Sequence, residues 1–130
     1  MKGLIEFAII AAGAVAGAYL RYNITDSQSV LGGLPVNVLI VNVVGSFALG
    51  LFSVLTLAFN LDAKYTLLAA VGFCGSFTTM SSFALETTNL LDKNSFTLAA
   101  LNILANVGLS LAAVIAGREL GNLVWEKMLS

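Results

Sequence analysis

The chain has 130 residues, of which 58% are hydrophobic and only 10% are charged, with a formal net charge of −1. An ordinary soluble domain is roughly 25% charged, so a water-soluble globule is excluded, and so is disorder, which needs low hydrophobicity and high charge. Six basic residues scattered singly give no basic patch for nucleic acid, and a lone cysteine with no histidine leaves no intrachain disulfide, no cysteine metal cluster and no histidine-based zinc site.

A helix needs about 20 mostly apolar residues to cross a hydrocarbon core of roughly 30 Å. Four stretches qualify, and in lipid such stretches must satisfy their own backbone groups as helices. The first, residues 3–22, has Glu6 near its start and Arg21 near its end. Lys2 ahead of an apolar run raises a signal peptide, but the run is long, Glu6 interrupts its start and three spans follow. Gly13 and Gly17, set among Ala12, Ala14 and Ala16, form a G-x-x-x-G that predicts close helix packing, within the chain or in a dimer. A polar segment, 23–35, ends at Pro35, the single proline, where a missing N–H costs least ahead of a helix. The second span, 36–59, holds no charge. The third, 66–91, is the least uniform, and the fourth covers 97–117, where Gly117 and Gly121 repeat the small-residue spacing. Residues 118–130 place Arg118, Glu119, Glu126 and Lys127 among Leu120, Leu123, Val124 and Trp125, which reads as a C-terminal tail, a helical extension lying at the membrane interface. Four crossings put both termini on one side. That side carries Lys2, Lys64, Arg118 and Lys127 against Arg21 and Lys93 on the other, a bias towards cytoplasmic termini. The expected fold is one all-α membrane domain of four transmembrane helices.

Polar side chains at mid-membrane are expensive and usually functional. Asn42 and Ser46 share a face of span two, and Asn102, Asn106 and Ser110 form a stripe on span four. In span three, Thr79, Ser82, Glu86 and Asn89 share one face if the segment is helical. Two readings stay open: these groups bond one another and brace the bundle, or they line a pathway. Amides and hydroxyls donate hydrogen bonds without charge, and Arg21 is the one basic residue near a stripe, so a pathway would suit a small anion. Glu86 runs against that unless it is uncharged or sits at a pore mouth. The run 72–83, with Gly72 and Gly75 ahead of Ser76, Phe77, Thr78 and Thr79, weakens a helix. Either it breaks, freeing carbonyls that can bind a cation, or its glycines serve a close contact.

These residues carry a resemblance. Gly17-Ala18-Tyr19-Leu20-Arg21-Tyr22, Leu34-Pro35 leading to Asn42-Val43-Val44-Gly45, and Gly72-Phe73-Cys74-Gly75-Ser76-Phe77-Thr78-Thr79-Met80-Ser81-Ser82-Phe83 with Glu86 together resemble the Fluc (CrcB) fluoride channels, over all four spans. The resemblance implies an antiparallel, dual-topology type dimer of four-helix subunits with two pores, exporting fluoride passively through the cell inner (plasma) membrane. It implies a broken third helix and a structural Na⁺ at the dimer centre, held by the backbone carbonyls of Gly75 and Thr78. It places Asn42, Met80, Ser81, Ser82, Phe83, Asn106 and Ser110 along the pore, Arg21 in the vestibule, and Glu86 as the helix-three carboxylate. Three positions depart from the family pattern: Met80 stands for a pore phenylalanine, Val38 for a threonine and Asn102 for a tyrosine. These departures, and the basic bias, leave open a homodimer or a heterodimer with a paralogous four-helix subunit.

Fluoride gives up water reluctantly, so a pore must offer replacement donors. Asn42 is expected to offer its amide, Ser81, Ser82 and Ser110 their hydroxyls, and Phe83 its electropositive ring edge. No catalytic residue is implied. Two rivals are a proton-coupled exporter resembling small multidrug resistance transporters, for which Glu6 is too shallow and Glu86 would have to serve, and a non-transporting accessory subunit.

Overall fold

A computed structural model describes residues 2–27 and 29–130. Helix α1 is Lys2–Asp26. A two-residue hairpin follows, with β1 Val30–Leu31 antiparallel to β2 Leu34–Pro35. Its turn is Gly32-Gly33, at φ +58° and +88°, a left-handed pair that glycine adopts without a Cβ penalty. Helix α2 is Asn37–Ala58. The third span is composite. Its first half, α3, joins Ala63–Thr66, a π-helical stretch Leu67–Cys74 and one turn Gly75–Phe77. Its second half, α4, is Met80–Asp92. Helix α5 is Phe96–Leu129. All four spans are long and apolar enough to cross a membrane.

Residues 118–129 continue α5 as a helical extension. At 1.5 Å per residue, a 34-residue helix runs about 50 Å, well beyond a hydrocarbon core of about 30 Å. Trp125 sets its ring edge-on against Phe59 at the end of α2, with centroids 5.3 Å apart.

Small residues decide which helices touch. α1 packs on the π-helical part of α3, and α2 packs on α5. A Cβ on Gly13 would run into Leu68 O and Phe73 N, and one on Gly17 into the Phe73 carbonyl. Gly72 meets Ile10 O and Gly13 Cα from the other side. Gly50 and Gly117 do the same for α2 and α5, against Val114 and against Phe47 and Leu51. The G-x-x-x-G spacing thus serves packing within the chain, where backbone approach replaces the missing hydrophobic drive between helices.

The third span breaks inside the expected run, at Thr78 and Thr79 rather than at its glycines. Both residues are extended, with φ −76°, ψ 155° and φ −150°, ψ 113°. The Thr78 hydroxyl donates to Cys74 O at 3.0 Å and closes the first half. Thr79 is the N-cap of the second half, its Oγ1 accepting from Ser82 N at 3.2 Å. Across the break the polypeptide changes neighbours, from α1 to α5.

Candidate functional site

The break is held open by a side chain from another helix. Asn42, on α2, accepts from Thr79 N at 2.8 Å and donates to Thr79 O at 3.2 Å. Its second amide hydrogen goes to Asn106 Oδ1 on α5, at 3.0 Å. Asn106 donates to Asn102 Oδ1 at 3.0 Å and to Asn102 O at 3.1 Å. Asn102 donates to Thr87 Oγ1 at 3.0 Å, and Thr87 donates to Phe83 O at 2.9 Å. Asn102 and Asn106 are buried, and Asn102 has no exposed surface. Asn42 of span two and Asn102 and Asn106 of span four are thus joined with Thr79 and Thr87 of span three in one chain of bonds, which removes most of the cost of burying these groups.

Beside this chain lies a groove of about 380 Å³. Its polar wall is Asn42, Ser46, Thr78, Thr79, Asn106 and Ser110, and its apolar wall includes Met80, Phe83, Leu49, Val107 and Val114. Ser110 Oγ is buried and makes no hydrogen bond among the described residues. Elsewhere hydroxyls in these helices spend their hydrogen on the preceding turn, as Thr56 does on Phe52 O and Thr88 on Ala84 O. Met80 lines the groove yet is 73% exposed, so the groove has an open side.

The structure thus brings together Asn42, Met80, Phe83, Asn106 and Ser110. Ser81 and Ser82 lie outside the groove lining, clustered instead around Thr79 Oγ1 at 3.3 and 3.1 Å. Thr79 and Glu86, expected on one face, separate. Glu86 lines a second cavity of about 320 Å³ with Asn89, Lys93, Thr25, Ser29 and Asn37. Glu86 Oε2 is buried there without a partner among the described residues. Arg21 is half-buried on α1, away from both cavities. It has no carboxylate within ion-pair distance among the described residues, where Lys64–Asp62 is the recorded pair.

The sequence assigned no role to Thr87 or to Asn37, the neighbour of Val38. Thr87 is adjacent to Glu86 and drew no notice as one hydroxyl among several. Asn37 is buried and ties the α1–α2 connection, accepting from Ser29 N at 3.1 Å and donating to Ile24 O at 2.6 Å and to Ser27 O. An asparagine opening an apolar span was the available signal for it.

The expected role of Asn42 as an open donor does not match its geometry, since both amide hydrogens are engaged. The carbonyls of Gly75 and Thr78 fit an oxygen-ligated cation. Thr79 N, which would bond Gly75 O in a continuing helix, is given to Asn42. Ser82 N, which would bond Thr78 O, is given to Thr79 Oγ1. Both carbonyls are thereby relieved of their helical partners.

The family model described as CrcB-like protein, Camphor Resistance (CrcB), matches residues 8–118. The chain belongs to the CrcB family. Among similar CrcB proteins, one from Nitrosopumilus maritimus, named fluoride-specific ion channel FluC, is 58% identical over 92% of this chain and 94% of its own length. A Methanopyrus kandleri protein of the same name is 41% identical over 95% of this chain and 94% of its own. One from a Sulfurihydrogenibium species, also so named, is 41% identical over 92% and 98%. This CrcB chain is accordingly a multi-pass membrane protein of a channel family and not an enzyme.

Proposed function

We propose that this protein is a fluoride-selective channel that lets fluoride leave the cytoplasm passively across the plasma membrane. The observation that carries the reading is the groove of Asn42, Asn106, Ser110 and Phe83, set in spans that are otherwise apolar. The name borne by its relatives supplies the ion.

In this mechanism Ser110 donates its unspent hydroxyl hydrogen to the dehydrating ion, and Phe83 presents a ring edge of positive character. Asn42 and Asn106 form a neutral wall whose bonds are complete, so an ion bonds Asn42 by exchanging its Asn106 contact. Arg21 lies outside the groove on α1 and acts on the anion only through its long-range field. Ser81 and Ser82 serve the ion by way of Thr79, whereas Glu86 lines the second cavity and not the groove. Chloride, being larger, is rejected by bore width.

One chain supplies an open-sided groove, and a second four-helix subunit, paired antiparallel, closes it. Gly75 and Thr78 carbonyls from both subunits would hold Na⁺, which supplies a fixed positive charge that ties the halves together. The test is fluoride efflux from liposomes holding the purified chain alone, with chloride as control. Efflux from the chain alone supports a homodimer. Efflux only with a paralogous subunit supports a mixed pair, and none in either case rejects the channel reading. Phe83→Ile is expected to abolish efflux where the wild type conducts.

A further inference from the structure

Helices α2 and α5 run in the same direction and meet rung by rung. Asn42 bonds Asn106 at 3.0 Å. Two turns further along both helices, a Cβ on Gly50 would strike Val114 O, so there α2 lies directly against the α5 backbone. Midway between these contacts, one turn from each, stand Ser46 on α2 and Ser110 on α5. The rung they share is bounded by an amide bond on one side and a backbone contact on the other. Both serines line the groove.

Neither hydroxyl is spent. Elsewhere on α2, Ser53 donates to Gly50 O at 2.7 Å and Thr56 to Phe52 O at 2.9 Å, the usual sink for a hydroxyl hydrogen in a helix. Ser46 makes no such bond among the described residues, and Ser110 Oγ is buried without a partner among them. The two hydroxyls therefore do not bond each other across the seam. What surrounds them decides the kind of guest. The Asn42 oxygen is taken by Thr79 N and the Asn106 oxygen by Asn42. The rest of the nearby wall is Leu49, Val107 and Val114, and no carboxylate lines the groove. A cation would find no charge to balance it, whereas an anion would find two free hydrogens.

We propose that Ser46 and Ser110 form a two-hydroxyl seat for one fluoride ion, with Ser46 a specificity-determining residue of the path. This rests on the groove being that path. A hydroxyl bound to an anion is a charge-assisted donor, stronger than one bound to a neutral group. Two such donors on opposite helices replace two of the ion's waters at once. Their separation is set by the contacts on either side, the Asn42–Asn106 bond and the Gly50–Val114 approach. The seat cannot widen for chloride without breaking one of them, so the pair discriminates by size as well as binding.

The experiment titrates the protein, ¹³C-labelled at serine and held in detergent, with sodium fluoride, and with sodium chloride as control. The Cβ resonances of Ser46 and Ser110 are expected to move together with one midpoint in fluoride, and not in chloride. In Ser46→Ala the Ser110 midpoint should rise about tenfold or more, the worth of one donor to a charged partner, and Ser110→Ala should do the same to Ser46. Ser46→Ala should also lower the fluoride-to-chloride efflux ratio in liposomes about tenfold. Its melting temperature without fluoride should stay that of the wild type, because no partner is orphaned. Separate midpoints, a Ser110 midpoint unchanged in Ser46→Ala, or a melting temperature that falls without fluoride overturn the proposal, the last by making Ser46 a brace. The wild-type titration decides it even where a variant does not assemble. A wild type that conducts fluoride while neither resonance moves overturns the seat and leaves the channel reading standing. One that titrates as expected but passes no fluoride rejects the channel reading and keeps the seat as a binding site.

Discussion

Ser110 and Asn42 lie in the same groove but face opposite chemical situations. Ser110 Oγ bonds to nothing among the described residues. Removing it orphans no partner, and stability is expected to stay within about 0.5 kcal/mol, as for substitutions that break no feature. Ser110→Ala should therefore leave the melting temperature in detergent almost unchanged while slowing fluoride efflux about tenfold, the worth of one donor at about 1.4 kcal/mol. Asn42→Asp is the converse. A carboxylate has no N–H, so Thr79 O and Asn106 Oδ1 would face an oxygen that repels them. Both stability and efflux are expected to be lost, the first by about 3 kcal/mol or more for an uncompensated buried charge, read by the melting temperature and liposome flux of the same preparation. Equal loss of stability in the two variants would place Ser110 in the brace rather than on the path.

At the scale of the helices, the four spans were legible because lipid demands length and apolarity and leaves few alternatives. The partners of each span were half legible. Gly13 with Gly17, and Gly117 with Gly121, marked where backbones approach, but not that the first pair meets α3 and that Gly117 and Gly121 meet α2. The break was legible to within its run and no closer. Within that run Gly72 serves the close contact that was the alternative to a break, against Ile10 and Gly13. What breaks the helix is Asn42, 37 residues away, taking the Thr79 amide. A long-range bond of that kind leaves no local pattern. The glycines give a paired prediction. A Cβ on Gly117 would strike Phe47 O and Leu51 N, both backbone, so Gly117→Ala should cost about 1–3 kcal/mol by forcing α2 and α5 apart. Gly108, on the same helix, meets nothing of its own chain within 4 Å, and Gly108→Ala should be neutral or gain up to about 1 kcal/mol of helix propensity. Thermal unfolding of the two variants side by side checks it.

For the whole molecule, the open groove and the freed carbonyls make a single geometric claim. If Gly75 and Thr78 carbonyls of two subunits share one Na⁺, the two-fold axis passes close to the helix break, and residue 75 of one subunit lies near residue 75 of its partner. Gly75 is exposed, and a Cβ there would meet only Ala70 O, at an ordinary 3.7 Å. Gly75→Cys, in a Cys74→Ala background that removes the native thiol, should therefore fold and form a cross-subunit disulfide under mild oxidant, since such a bond needs Cα atoms within about 7 Å. Leu57→Cys, 84% exposed near the end of α2 and far along the membrane normal from the break, should remain monomeric on the same non-reducing gel. An antiparallel pairing would sharpen the contrast, because inversion carries a residue near one face of the bilayer to the other face, and only positions near the midplane would meet their own copies. Cross-linking at both positions would indicate random collision. Cross-linking at residue 57 alone would require a parallel pair, in which the groove of each subunit would be closed by some surface other than the break.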